Sequence, residues 1–123
     1  MLEIHVESTD SYTIARPVGE LDAYTVGDFR EKLTELAETS QLLIDLSEVP
    51  FMDSAGLGAL IGGIRRVRDN DGAVAVVSAR ATLTRLLQTT GFDRIVPVTE
   101  TVDEAVEALN NPCLLYTSPS PRD

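Results

Sequence analysis

The chain has 123 residues, 43% hydrophobic and 24% charged, the proportions of one globular domain able to bury a core without a metal or disulfide staple. Its net charge of −10 argues against nucleic acid and anionic membrane surfaces as partners; it suits either steering toward a basic partner or solubility alone. A single cysteine, Cys113, excludes an internal disulfide, no apolar run is long enough for a membrane helix, and the N-terminus lacks a signal-peptide pattern, so a cytoplasmic location is expected.

Leu2, Ile4 and Val6 alternate with Glu3, His5 and Glu7, as in a half-buried strand. A turn at Ser8-Thr9-Asp10-Ser11 leads to a second strand, Tyr12 to Val18, antiparallel to the first because the connection is short. Pro17 cannot donate to a ladder and belongs at an edge or bulge. Gly19-Glu20-Leu21-Asp22 then enters a helix from about Tyr24 to Glu38, with Val26, Phe29, Leu33 and Leu36 on its buried face. Asp22 is either the cap of that helix or an exposed acid near the next helix start.

Gln41 to Leu46 reads as a central strand covered on both faces. After the loop Ser47-Glu48-Val49-Pro50 comes Phe51-Met52-Asp53-Ser54-Ala55-Gly56-Leu57-Gly58, the stretch around which the chain is organised. Leu57, Leu60, Ile61, Ile64 and Val67 recur at three- and four-residue spacing, so a helix begins near Ser54 and ends near Asp69-Asn70-Asp71-Gly72. Asp53 suits its N-cap, which leaves the Ser54 hydroxyl in the first turn near solvent. A phosphate there would meet free amides and the positive end of the helix dipole. Glycine costs about 1 kcal/mol against alanine in a helix, so Gly56 and Gly58 call for a close contact, internal or with a partner. Arg65, Arg66 and Arg68 fall mainly on the far side, as an anion site or a solvated face.

Ala73 to Val77 is another buried strand, followed by a short helix from Ala81 to Thr89 that stops at Gly91. Ile95-Val96-Pro97-Val98 is expected as the last strand. Thr101 to Glu104 is a capping box opening a helix that buries Val102, Ala105, Val106 and Leu109 and ends at Asn110-Asn111-Pro112. The order predicts an α/β domain over residues 1–111, a mixed, mostly parallel sheet of about five strands with about four helices. Residues 112–123 carry several prolines and no period; they read as translated vector sequence or a disordered tail.

Catalytic readings fail on missing partners. The only histidine, His5, lies in a strand with no nucleophile elbow, since Met52 stands where its first glycine belongs. The only lysine, Lys32, is remote from any P-loop pattern, and Gly62 comes one residue too late for a dinucleotide fingerprint. No histidine or cysteine cluster offers a transition-metal site. A non-enzymatic domain displaying a serine, with no cofactor, is the expectation.

Gly19-Glu20-Leu21-Asp22, Ile44-Asp45-Leu46 and Phe51-Met52-Asp53-Ser54-Ala55-Gly56-Leu57-Gly58, in this order and spacing, resemble the bacterial anti-sigma factor antagonists of the STAS fold. The resemblance covers about residues 2–110. It implies a partner switch in transcription regulation: the antagonist binds an anti-sigma factor that is also a serine kinase and so frees a sigma factor. Phosphorylation of the serine at Ser54 releases the antagonist, and a metal-dependent, PPM-type phosphatase restores it. It further implies that Asp22 contacts the kinase and that partner binding involves Asp53, Ser54, Ala55, Gly56, Leu57 and Gly58. Ala55 replaces a second serine found in many members. A STAS module for a small ligand, nucleotide or transporter is the alternative.

Overall fold

The computed structural model describes residues 2–89, 91 and 96–110, and the tail 112–123 lies outside them. Strands β1 (Glu3–Ser8) and β2 (Thr13–Val18) form an antiparallel pair. Helix α1 (Val26–Glu35), strand β3 (Gln41–Asp45), helix α2 (Ser54–Asp69) and strand β4 (Ala73–Val77) follow. Helix α3 (Ala81–Thr89), strand β5 (Val98–Thr99) and helix α4 (Val102–Asn110) complete the described chain. The strands lie in the order β1-β2-β3-β4-β5, parallel from β2 onward. This is the expected α/β architecture: a mixed, mostly parallel sheet with helices on both faces.

Alternation along the middle strand sets the layers. Leu42 and Ile44 of β3 face a core shared with Phe29 and Leu33 of α1, Leu60 and Ile64 of α2, and Leu83 and Leu87 of α3. Leu43 faces the opposite side, where Ala105 and Leu109 of α4 cover it together with Ile14, Ala75 and Val77. The near-continuous apolar run of β3 is therefore explained by two covered faces. Pro17 lies in β2 opposite Ile4, beyond Ala15, the last β2 residue paired with β3. Its missing donor thus costs that second ladder nothing.

Three boundaries differ from expectation by more than one residue. Helix α1 starts at Val26 rather than Tyr24, because residues 23–25 are spent on a turn closed by Asp22. It ends at Glu35, where the last carbonyls are taken by three-residue turns: Leu36 N donates to Leu33 O, and Ala37 N to Thr34 O. The last strand is only Val98–Thr99. Val96 and Pro97 lie outside it, although Pro97 O still accepts the Val76 amide at 2.9 Å, and Ile95 falls outside the described residues. The capping box of α4 is present in shifted form: Thr101 Oγ1 accepts the Glu104 amide at 3.2 Å, while Glu104 Oε1 accepts the amide of Glu100 rather than of Thr101.

Candidate functional site

The start of α2 is built from two loops laced together. Gly19 turns the chain with φ 121°, a left-handed conformation that favours glycine, and its amide donates to Glu48 O at 3.1 Å. Leu21 then runs beside Met52 as a parallel bridge. The Leu21 amide donates to Phe51 O and the Asp53 amide donates to Leu21 O, both at 3.0 Å. The two motifs separated in sequence thus become one surface.

Asp53 finishes the lacing. It is the N-cap of α2 with an extended backbone, φ −97° and ψ −174°, and its Oδ1 accepts the Gly56 amide at 3.0 Å. Its Oδ2 accepts the amide of Ala23 at 3.1 Å, 30 residues back in the chain. Asp22 closes the neighbouring turn: its Oδ1 accepts from the amides of Tyr24 at 2.9 Å and Thr25 at 3.1 Å, and its own amide donates to Thr25 Oγ1 at 3.1 Å. Asp22 thus fills neither of the two roles expected of it, cap of α1 or exposed acid: the N-cap of α1 is Thr25, and Asp22, half-buried, closes the turn before that helix.

Ser54 is the first residue of α2 and is exposed to solvent. Ala55 is half-buried and packs against the core. Gly56 and Leu57 are buried, so their contacts are internal. A Cβ on Gly56 would lie 2.5 Å from Leu21 O, which shows why the helix carries no side chain there. Gly58 is exposed, and a Cβ on it would meet nothing within 4 Å. One turn beyond Ser54, it leaves the outer face of α2 bare without any packing reason. Gly58→Ala is expected to raise stability by about 1 kcal/mol, read as a higher midpoint in urea.

The three arginines of α2 are exposed on the far side of the helix start. Arg66 Nη1 donates to Thr34 Oγ1 at 2.7 Å, tying α2 to α1 beside a shallow groove that Arg30, Gly58 and Gly62 also line. Among the described residues, no group of three or more His, Cys, Asp or Glu side chains could hold a metal ion, and no helix is long and apolar enough to cross a membrane.

Two features were not legible from spacing. Tyr24 and Phe51, both on the laced loops, expose 96% and 50% of their surface. Phe51 was only a large apolar residue in a loop, and Tyr24 was expected as the first residue of a helix, so neither carried a signal of exposure. The other is a nearly buried ion pair beneath the loops. Arg16 Nε donates to Asp45 Oδ2 at 2.9 Å, and Asp45 Oδ1 accepts from the Ser47 hydroxyl and, at 2.9 Å, the Ser47 amide. Burial raises the Asp45 carboxyl, but the Ser47 hydroxyl and amide, then Arg16, outweigh it and hold the carboxyl below its ordinary value.

The STAS domain family model matches residues 3–105. The chain is 31% identical over 101 residues to an anti-sigma-B factor antagonist of Staphylococcus aureus, covering 80% of this chain and 94% of that one. It is 30% identical over 107 residues to an anti-sigma-B factor antagonist of Bacillus subtilis, covering 86% and 98%. A crystal structure of an anti-sigma factor antagonist from Mycobacterium paratuberculosis superimposes with a TM-score of 0.82 at 27% identity, covering 89% of this chain and 95% of that one. With the family's match spanning both laced motifs and both layers of the fold, the chain belongs to the STAS domain family, among relatives named as bacterial anti-sigma factor antagonists.

Proposed function

We propose that this protein is an anti-sigma factor antagonist: it binds an anti-sigma factor with serine kinase activity, so that a sigma factor is released, and is switched off by phosphorylation of Ser54. The observation that carries the reading is Ser54 itself, exposed at the first position of α2 beside the half-buried Asp53 and Asp22. The relatives' names support an anti-sigma factor as the partner, and its kinase activity is part of the proposal. A PPM-type phosphatase would reset the switch.

The helix tolerates the modification. Phosphate adds about −1.5 to −2 charge at a helix N-terminus, which favours the helix by about 0.3–1 kcal/mol. The switch therefore acts on the partner contact, where added bulk and like charge beside Asp22 and Asp53 cost several kcal/mol. Bare Gly58, one turn further along α2, lets a partner's backbone come close to the helix.

The test is incubation of the purified chain with ATP and each purified anti-sigma factor of its cell, followed by mass spectrometry and affinity measurement. One phosphate on Ser54 is expected, with Ser54→Ala binding as tightly as the parent but resisting release. Ser54→Asp should bind at least tenfold more weakly with its melting temperature intact. An aspartate variant that binds like the parent would overturn the electrostatic switch. Absence of any modification, together with a tightly held small molecule, would favour a ligand-binding STAS module instead.

A further inference from the structure

Three large hydrophobic side chains stand exposed among the described residues: Val6, Tyr24 and Phe51. Val6 lies on β1 at the edge of the sheet. The other two sit on the loops laced around the α2 start. Tyr24 follows Ala23, whose amide Asp53 holds, and Phe51 supplies the carbonyl that receives the Leu21 amide. Scattered single apolar residues on a surface need no explanation. Two exposed aromatic rings on the same pair of joined loops, which lead into the exposed Ser54, do.

Two acids of this rim, Asp22 and Asp53, are engaged in shaping it. Each carboxylate oxygen of Asp53 accepts a backbone amide, and Asp22 Oδ1 accepts two. With Ala55 packed inward and Gly56 and Leu57 buried, the large apolar side chains that these loops still expose are the two rings. Tyr24, at 96% exposure, has no internal packing to justify its size. Aromatic side chains with few rotatable bonds are the residues that most often dominate binding energy when buried in a partner's pocket.

We infer that Tyr24 and Phe51 are the apolar anchors by which this rim grips the anti-sigma factor, an inference that rests on the proposed function. The occupant is a protein surface with an apolar socket for each ring, while Asp22 and Asp53 hold the loops that aim them. Phosphate on Ser54 would then work partly by hydration, since its bound water enters a contact that the rings need dry. A doubly charged group beside two rings opposes burial of all three together.

The probe is the purified anti-sigma factor that binds the parent chain. Tyr24→Ser is expected to weaken affinity at least tenfold with an unchanged melting curve, and Tyr24→Phe to keep it, because the ring and not the hydroxyl is the anchor. Phe51→Ser is expected to weaken it similarly; its melting curve shows whether losing the half-buried ring also loosens the fold. The inference is overturned if Tyr24→Ser binds as tightly as the parent while Ser54→Asp does not, and the proposed function then still stands. If the parent binds no anti-sigma factor, the proposed function fails first and takes this inference with it.

Discussion

Gly56→Ala is expected to destabilise the fold by about 1–3 kcal/mol, although helix propensity alone favours alanine by about 1 kcal/mol. The added Cβ would stand 2.5 Å from Leu21 O, 2.9 Å from Leu21 Cβ and 3.0 Å from Met52 Cγ. The nearest of these is backbone, which cannot swing aside as a side-chain tip can. Leu21 O also accepts the Asp53 amide, so pushing it away loosens a bond that laces the two loops. Overpacking of this kind costs about 1–3 kcal/mol, and a lost hydrogen bond about 1 kcal/mol more. Even after the propensity gain, the net is a large share of the 5–15 kcal/mol that stabilises a typical domain. Urea unfolding of the parent, Gly56→Ala and Gly58→Ala measures it directly. The two alanines, two residues apart on one helix, should move the midpoint in opposite directions. Equal midpoints for Gly56→Ala and the parent would mean that the helix and Leu21 are not in this close contact.

What was legible in the sequence was local. The start of α2 follows from Asp53 before a three- and four-residue apolar period, and both its first and last residues lie where that pattern puts them. Helix α3 matches its expected span for the same reason, with Gly91 at φ 76° just past its end. The layers followed from β3, whose apolar run permits nothing but two covered faces. What stayed hidden was non-local or lacked a period. The bonds from Ala23 to Asp53 and from Arg16 to Asp45 join residues 30 and 29 apart, and no spacing rule pairs them. The unexplained glycine pair was visible as a cost, but only Leu21 distinguishes Gly56, which must be small, from Gly58, which need not be for packing. The apolar run ending at Val98 suggested a longer strand, yet the β4 ladder engages β5 only at Val98 and Thr99. Tyr24 and Phe51 sit in loops, where hydrophobicity has no period to reveal which way it faces. For the site itself, the cap at Asp53 and the exposed Ser54 were legible; the bond that ties Asp53 to Ala23 and the exposure of the two rings were not.

Asp45→Asn should cost about 2–3 kcal/mol at neutral pH, and the cost should shrink in acid. Asp45 ends β3, with a side chain only 4% exposed. Three donors converge on it: the Ser47 hydroxyl and amide on one oxygen and Arg16 Nε on the other. Breaking a buried pair costs about 3–5 kcal/mol, but the Arg16 side chain is 35% exposed and recovers part of its hydration, which lowers the figure. An asparagine offers one acceptor oxygen to the three donors and no charge to the guanidinium. The pH dependence follows from the sign of the shift. The folded carboxyl titrates below its unfolded value of about 3.9, so its contribution is complete above that pH and disappears as pH falls through the folded value. The chain carries 20 acidic residues, so the informative quantity is the difference between parent and variant. Measured by urea unfolding, that difference should be constant from pH 7 to about 5 and narrow below about 4. A difference that stays constant down to pH 2.5 would show that ionisation of Asp45 is not what stabilises the fold. The loss should reach the site as well. Ser47, held by Asp45, begins the loop that carries Phe51 and Asp53, and Glu48 in the same loop receives the Gly19 amide. An Asp45→Asn chain that is still folded at neutral pH should therefore bind its partner more weakly than its melting curve alone accounts for, because the two laced loops lose the anchor beneath them.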